Sequence, residues 1–274
     1  MEFTSIGHLL FIKINMGFMK QLVFAFIFTF YSLLYPMTLD RVILSTDTNS
    51  MYYEFWPLVA RAWTKIVGVK PTLALIAPKD FEIDESLGDV IRFEPLEGVP
   101  TSLQAQVIRL LLPAYYPEDV CIISDIDMLP TQKSYYVDSI LECSEDAFVV
   151  FRDKAYPEEG FKRYPMCYLA AKGKTFQKLF ELDSLDQISE KIYAWHSLNL
   201  GWNTDERVVF RAIQNTNDVA IDFLGHRVEK RIDRINWRFG KQSLARGFYI
   251  DAHLLRPYSQ YKDQVDYIAK KLGL

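Results

Sequence analysis

Between Asp40 and Pro130 the chain alternates short apolar runs with longer stretches of helical period, and this alternation restricts the fold more than any other feature. Asp40 to Asp47 reads as a first strand that ends in the polar Ser45-Thr46-Asp47. Tyr52 to Val67 follows with apolar residues at helical spacing, then Pro71 to Pro78 as a second strand between prolines. The acidic stretch Asp80 to Asp89 reads as solvated surface, and Val90 to Phe93 as a short third strand. Thr101 or Ser102 can cap a helix through Gln104, Gln106 and Arg109 to Leu112, which Pro113 and Pro117 stop. Val120-Cys-Ile-Ile123 is β-branched, apolar and too short for a helix, so it is a fourth strand. Strands that alternate with helices predict an α/β fold with a doubly wound, mostly parallel sheet. No internal repeat, low-complexity tract or linker interrupts residues 39–274, which read as one domain.

The fourth strand ends in Ser124-Asp125-Ile126-Asp127. Ligands of α/β sheets sit just beyond the carboxyl ends of the strands. Period-two alternation sends Asp125 and Asp127 to the same side. Two carboxylates there repel unless a positive charge joins them. A divalent cation with a diphosphate answers that need, since hard cations take oxygen ligands and leave positions open to phosphate. The triplet alone is not specific, because Asp is also a favoured turn and cap residue. The Ser45-Thr46-Asp47 end should lie beside it and form the edge where a nucleotide docks. Neither G-x-G-x-x-G nor G-x-x-x-x-G-K-[ST] occurs, which excludes the usual dinucleotide site and the P-loop.

Beyond Asp127, Ala147 to Phe151 and Met166 to Ala171 are further strands, and Thr175 to Leu182 a helix. Thr204 as a cap puts Asp205 and Glu206 in the first turn of the next helix. Acids there answer the helix dipole or act as base or acceptor ligand; both readings stand. Arg227 to Arg246 is locally basic and reads as a solvated helix face, with one or two cations free for phosphate or an acidic partner. Phe248 to Tyr258 carries His253 at the end of an apolar strand and Arg256 three residues on. Histidine for a metal and arginine for a diphosphate form a coherent pair.

The first 38 residues differ from the rest. Lys13 and Lys20 precede an apolar run from Leu22 to Tyr35, short for a spanning helix and suited to a signal-peptide core. A signal peptide, an uncleaved signal-anchor extended upstream through Phe11, a translation start at Met37 and a buried apolar arm all fit. Membrane association or secretory-pathway residence follows if residues 11–35 are used, and a cytoplasmic protein if translation starts at Met37. A net charge of −4 gives no basic field for nucleic acid. Cys121, Cys143 and Cys167 lack metal-ligand spacing, and Cys121 reads as a buried thiol.

The ordered set of motifs resembles the GT-A class of nucleotide-sugar glycosyltransferases. Arg41 to Thr46 is similar to the first nucleotide-binding strand, and Gln106-Val-Ile-Arg109-Leu to the helix whose arginine steadies the acidic site. Ser124-Asp-Ile-Asp127 is similar to the D-x-D motif, and Gly201-Trp-Asn-Thr-Asp-Glu206 to the glycine loop with its acidic helix start. Asp251-Ala-His253-Leu-Leu-Arg-Pro-Tyr258 is similar to the C-terminal metal histidine and its basic follower. The likeness runs from Asp40 to about Tyr261, and the order of the set is far more specific than D-x-D alone.

The resemblance implies a Rossmann-like sheet flanked by helices and metal-dependent transfer from a nucleoside-diphosphate sugar, a UDP-sugar foremost. The acceptor would be a hydroxyl of a glycan, lipid or protein. Asp127 would bind Mn2+ or Mg2+ directly, Asp125 would hold the ribose or the metal's water shell, and His253 would be the third protein ligand of the metal site. Ser45, Thr46, Asp47 and Arg109 would hold the donor, and Arg256 its diphosphate. Asp205 or Glu206 would face the acceptor. The His-x-x-Arg-Pro-Tyr stretch is shorter than the His-x-x-Gly-x-x-Lys-Pro-Trp of glycogenin-like enzymes. A sugar-phosphate nucleotidylyltransferase needs a glycine-rich loop with Lys or Arg after the first strand, which Ser45 to Asn49 do not supply. A dehalogenase-type phosphatase opens with its D-x-D, whereas here three strands and two helices precede it. A catalytically inactive nucleotide-sugar-binding protein is the remaining alternative.

Overall fold

The computed structural model describes residues 36–156, 162–227 and 230–274. Its strands are β1 (Arg41–Asp47), β2 (Lys70–Ile76), β3 (Asp89–Phe93), β4 (Val120–Ile123), β5 (Met128–Pro130), β6 (Phe148–Val150), β7 (Leu169–Lys172), β8 (Ile221–Phe223), β9 (Arg231–Ile232) and β10 (Asp251–His253). Seven of them form one sheet in the order β3-β2-β1-β4-β7-β6-β8. β1 runs parallel to β2, with Arg41 opposite Lys70 and Asp47 opposite Ile76, and parallel to β4, with Ile43 opposite Ile123. β3 continues the parallel set. β7 is antiparallel to both β4 and β6, and β6 and β8 are parallel. The sheet is therefore mostly parallel, as expected, with one reversed strand at the junction of its halves.

Period-two alternation divides the strand side chains between two cores. Val42, Leu44, Val120, Ile122 and Ala170 enter one; Ile43, Cys121, Ile123, Leu169 and Ala171 enter the other. The helix Trp56–Ala62 buries Trp56, Val59 and Ala60 on the first face. The helix Thr101–Leu111 buries Val107, Ile108 and Leu111 on the second. Both faces are thus covered, which is why all seven residues of β1 are buried. Arg41, at the strand end away from the polar Ser45-Thr46-Asp47, fastens the parallel set. Its guanidinium meets Asp89 at 2.7 Å and Asp119 at 2.9 Å, and stacks 3.6 Å from the Tyr116 ring centre.

Several local expectations are corrected. The helix from Tyr52 to Val67 is broken into Ser50–Tyr53, Trp56–Ala62 and a π-turn Trp63–Val67. Pro57 lacks an amide donor and restarts the helix in its first turn. Neither Thr101 nor Ser102 caps the next helix: its cap position is Pro100. The Thr101 hydroxyl donates instead to Asp47 Oδ2 at 2.8 Å and ties the helix start to the end of β1. The strand over Met166–Ala171 lies at Leu169–Lys172, and the helix over Thr175–Leu182 at Gly173–Leu179. Gly173 sits where a Cβ would stand 2.2 Å from the carbonyl oxygens of Pro113 and Tyr116. The stretch Asp80–Asp89 is mostly at the surface, but Asp89 opens β3 and is held by Arg41 and Lys70.

Asp127 is followed at once by β5, and β5 belongs to a second sheet in the order β5-β10-β9. β10 pairs antiparallel to β5, with His253 opposite Met128, and the Leu254 amide donates to the Asp127 carbonyl at 2.9 Å. β9 lies parallel on the other side of β10, with Arg231 opposite Asp251. The basic stretch Arg227–Arg246 is therefore not a solvated helix face. Its described part holds β9, a turn and only a short helix, Lys241–Ala245.

The apolar run Leu22–Tyr35 lies outside the described residues, as does nearly all of the expected targeting segment 1–38. Met37 is buried in the first core. Among the described residues no helix is long and apolar enough to cross a membrane.

Candidate functional site

A cleft of about 290 Å³ opens at the carboxyl ends of β1 and β4, and every site residue singled out from the sequence lines it. Ser45, Thr46 and Asp47 form its floor as the last residues of β1. Asp47 also has internal duties. Its Oδ1 accepts from the Asn49 amide at 3.1 Å, and its Oδ2 accepts from Thr101. Asp125 and Asp127 both reach the cleft, from the turn between β4 and β5 in which the Met128 amide donates to the Asp125 carbonyl at 3.1 Å. They lie in a turn rather than in the strand and face different walls, which corrects the expectation of a shared side; each carboxylate has its own guanidinium partner, Arg109 for Asp125 and Arg234 for Asp127.

On one wall Arg109, projecting from the helix Thr101–Leu111, bridges two acids. It hydrogen-bonds Asp125 Oδ1 through Nη1 and meets Asp205 Oδ2 at 2.9 Å through Nη2. The bridge is buried, with side-chain exposures of 7% for Arg109 and 3% for Asp205. Burial pushes the Asp205 carboxyl up to about 7, against the pull of Arg109. Asp205 Oδ1 also accepts from the Glu206 amide at 2.8 Å. Both of its oxygens are thus committed, and Asp205 holds Arg109 in place.

The helix Thr204–Asn215 starts here, and its cap position is Asn203. The Thr204 hydroxyl turns back to the Gly201 carbonyl at 2.7 Å, which corrects Thr204 as the cap. Asp205 and Glu206 do stand in the first helical turn. Glu206 accepts from the Tyr156 hydroxyl and faces Arg163 Nη1 at 3.2 Å. Burial raises its carboxyl above the ordinary value, while Tyr156 and Arg163 draw it down. Trp202, 65% exposed, stands at the rim of the cleft, and its carbonyl accepts from Gln106.

On the opposite wall two guanidinium groups and an imidazole converge on Asp127 Oδ2. Arg234 Nη1 lies 2.5 Å away, Arg256 Nη1 3.3 Å and His253 Nε2 3.5 Å. Burial favours the neutral acid, but His253 and the two guanidinium groups outweigh it and hold the Asp127 carboxyl down at about 2. Arg256 also donates to the Tyr52 hydroxyl at 2.6 Å. Behind this wall Asp251 is fully buried. It accepts from Arg152 Nη2 at 2.7 Å, from Tyr168 at 2.8 Å and from Arg231 Nε at 3.1 Å. Arg231 reaches the cleft from this anchor. Four arginines (152, 231, 234 and 256) thus face two aspartates, so this side of the cleft carries excess positive charge.

Among the described residues no three His, Cys, Asp or Glu side chains are gathered as a metal cluster. Two of the three expected ligands, Asp127 and His253, do meet at one point: the carboxylate suits either Mn2+ or Mg2+, and the imidazole suits Mn2+ better than the harder Mg2+. Asp125 turns to Arg109 and stands apart from that pair. The residues missed from sequence are Tyr52, Tyr156, Arg163, Arg231 and Arg234. The last two lay within the basic stretch, and the locally favourable charge count there was their one visible sign.

No protein-family model and no curated protein matches the chain by sequence. Among solved structures, the glycosyltransferase GlyE of Streptococcus pneumoniae TIGR4 is similar at 14% identity and TM-score 0.45, over 86% of this chain and 62% of that one. The chain therefore spans less than two thirds of GlyE. The galactosyltransferase LgtC, in complex with donor and acceptor sugar analogues, is similar at 11% identity and TM-score 0.45, over 85% of this chain and 95% of that one. At such identities and scores the chemistry of the cleft is read from its own residues.

Proposed function

We propose that this protein is a divalent-cation-dependent glycosyltransferase that moves a sugar from a nucleoside-diphosphate sugar, a UDP-sugar foremost, to a hydroxyl of a glycan acceptor. The observation that carries the reading is the division of charge within one cleft. Asp127, held ionised among cations, shares its position with His253, and an arginine-rich wall lies beside them. Across the cleft stand carboxyl groups whose burial raises them, Asp205 and Glu206. One side suits a diphosphate and its counter-cation, and the other suits a neutral hydroxyl. The motif order from Arg41 to Tyr258, similar to the GT-A glycosyltransferases, supports the same assignment.

In this mechanism the floor of Ser45 and Thr46 receives the nucleoside, and Asp125, oriented by Arg109, accepts from its ribose. Asp127 and His253 would hold Mn2+ or Mg2+, which would supply charge neutralisation to the leaving diphosphate as a Lewis acid. Arg256, braced by Tyr52, adds charge-assisted hydrogen bonds to the same group. Glu206, less buried than Asp205, receives the hydrogen bond of the acceptor hydroxyl and directs its oxygen toward the anomeric carbon. Asp205 acts through Arg109, as a positioning residue. Exclusion of water by the buried walls strengthens each of these contacts.

Calorimetry with UDP and GDP, each with and without Mn2+, together with a nucleotide-sugar hydrolysis screen, tests this. Binding that needs the metal and vanishes in Asp127→Ala is expected. Metal-independent binding untouched by that substitution would remove the assignment, and tight binding with no turnover of any sugar would leave a binding protein.

A further inference from the structure

We propose that Arg234 exchanges partners during donor capture: it competes with the divalent cation for Asp127, and once released it becomes a ligand of the donor diphosphate. This rests on the glycosyltransferase reading above. The three groups on Asp127 Oδ2 are not equivalent. His253 is fixed by the pairing of β10 with β5, opposite Met128. Arg256 has a second anchor in the Tyr52 hydroxyl at 2.6 Å and stacks over that ring. For Arg234, Asp127 is the one carboxylate partner among the described residues.

Arg234 also comes from a different kind of backbone. It follows Asp233, whose Oδ1 accepts from the Ile235 amide at 2.9 Å and whose carbonyl accepts from the Trp237 amide at 2.7 Å. The next residue, Ile235, is 90% exposed, so Arg234 reaches inward from a surface turn rather than from a packed strand. Its side chain is 25% exposed, against 6% for Asp127. A guanidinium so mounted can change partners by rotamer changes alone.

The crowding is greatest at one oxygen, Asp127 Oδ2. A small divalent cation contacts a carboxylate oxygen at about 2.0–2.1 Å. The Arg234 nitrogen already stands 2.5 Å from that same oxygen. A cation on that oxygen would stand against the Arg234 guanidinium, and repulsion between the two positive charges favours release of the least anchored of the three groups. Once released, Arg234 still lines the cleft, as does Arg231, which is already matched to Asp251. The anion that enters this part of the cleft with unmatched charge is the diphosphate, and the planar fork of an arginine fits its oxygens.

Two measurements on the full chain test the exchange, with Mn2+ alone and then UDP as probes. Free Mn2+ is followed by its spin-resonance signal without nucleotide, and UDP binding by calorimetry at saturating Mn2+. Arg234→Gln is expected to bind Mn2+ about tenfold more tightly and UDP about tenfold more weakly. Arg234→Lys, which keeps the charge but loses the fork, is expected to hold Mn2+ as the parent does and to bind UDP at an intermediate level. Equal Mn2+ affinity in the parent and Arg234→Gln overturns the competition, and equal UDP affinity overturns the diphosphate role. Weakening of both affinities overturns the proposal as a whole, since it marks structural support. A parent chain that takes Mn2+ but no UDP refutes the glycosyltransferase reading and the diphosphate role. In that event tighter Mn2+ binding by Arg234→Gln still upholds the competition.

Discussion

Replacing Asp251 by Asn tests whether the cationic wall stands on a buried ion pair. The Asp251 carboxylate accepts from Arg152 Nη2 at 2.7 Å, Tyr168 at 2.8 Å and Arg231 at 3.1 and 3.4 Å. The side chains of Arg152 and Asp251 are both 0% exposed. Asn keeps the shape and removes the charge, which leaves the Arg152 guanidinium buried without a counter-ion. Breaking such a pair from one side costs about 3–5 kcal/mol. For a domain of this size, each kcal/mol lowers Tm by about 2–4 °C, so Asp251→Asn should melt roughly 6–20 °C below the parent. Urea unfolding at pH 7 gives the free energy directly. A double variant, Arg152→Met with Asp251→Leu, should recover much of the loss, because removing both charges also removes the desolvation cost. A loss below about 1 kcal/mol in the single variant, the range of exposed pairs, would refute the argument. Arg231 loses its anchor in the same variant, so UDP binding should weaken even where the protein is fully folded.

Asp205 yields a pH signature of defined sign. Its carboxyl is raised from 3.8 to about 7 in the folded protein. The folded state thus keeps a proton that the unfolded chain releases, and stability should fall as pH rises through this window, by up to about 1.4 kcal/mol per pH unit. Asp205→Asn should flatten that slope in a urea series from pH 4.5 to 7.5, and an unchanged slope contradicts the assignment. Gly173→Ala should destabilise by about 1–3 kcal/mol or more, because its Cβ meets two backbone carbonyls that cannot yield. A melting temperature equal to the parent's would show that the chain there is not so confined.

The parallel half of the fold was legible because its information is local. Val42 to Leu44, Leu73 to Ile76 and Val120 to Ile123 are apolar runs bounded by turn residues, and the helix over Thr101–Leu111 shows its period within its own span. The same holds for several candidate site residues, since Ser45 to Asp47 and His253 close strands and Asp205 and Glu206 open a helix, whereas Arg109 lies in the last turn of its helix. The reversed β7 was not legible, since Leu169 to Lys172 looks the same in either direction. Of the small sheet only the strand ending at His253 was legible; β5 and β9 are two or three residues long, stable only as partners, and escaped. Arg231 and Arg234 were read as solvated because their spacing imitates a charged helix face. Their partners lie 20 and 107 positions away, at Asp251 and Asp127, and no local pattern joins them. The repulsion argument for Asp125 and Asp127 was incomplete, as it could not foresee that Arg109 and Arg234 neutralise them separately.

The pairing of β10 with β5 has a consequence for biosynthesis. A nascent chain can complete the floor of Ser45, Thr46 and Asp47 and the strands β1 to β4 once Ile123 has emerged. Asp127 then waits for a histidine and an arginine translated some 130 codons later, so this wall of the cleft is completed last. A ribosome stalled before residue 253 would display a chain that still lacks Leu254, Val265 and Ile268 of the first core, so premature termination there would remove packing together with His253 and Arg256.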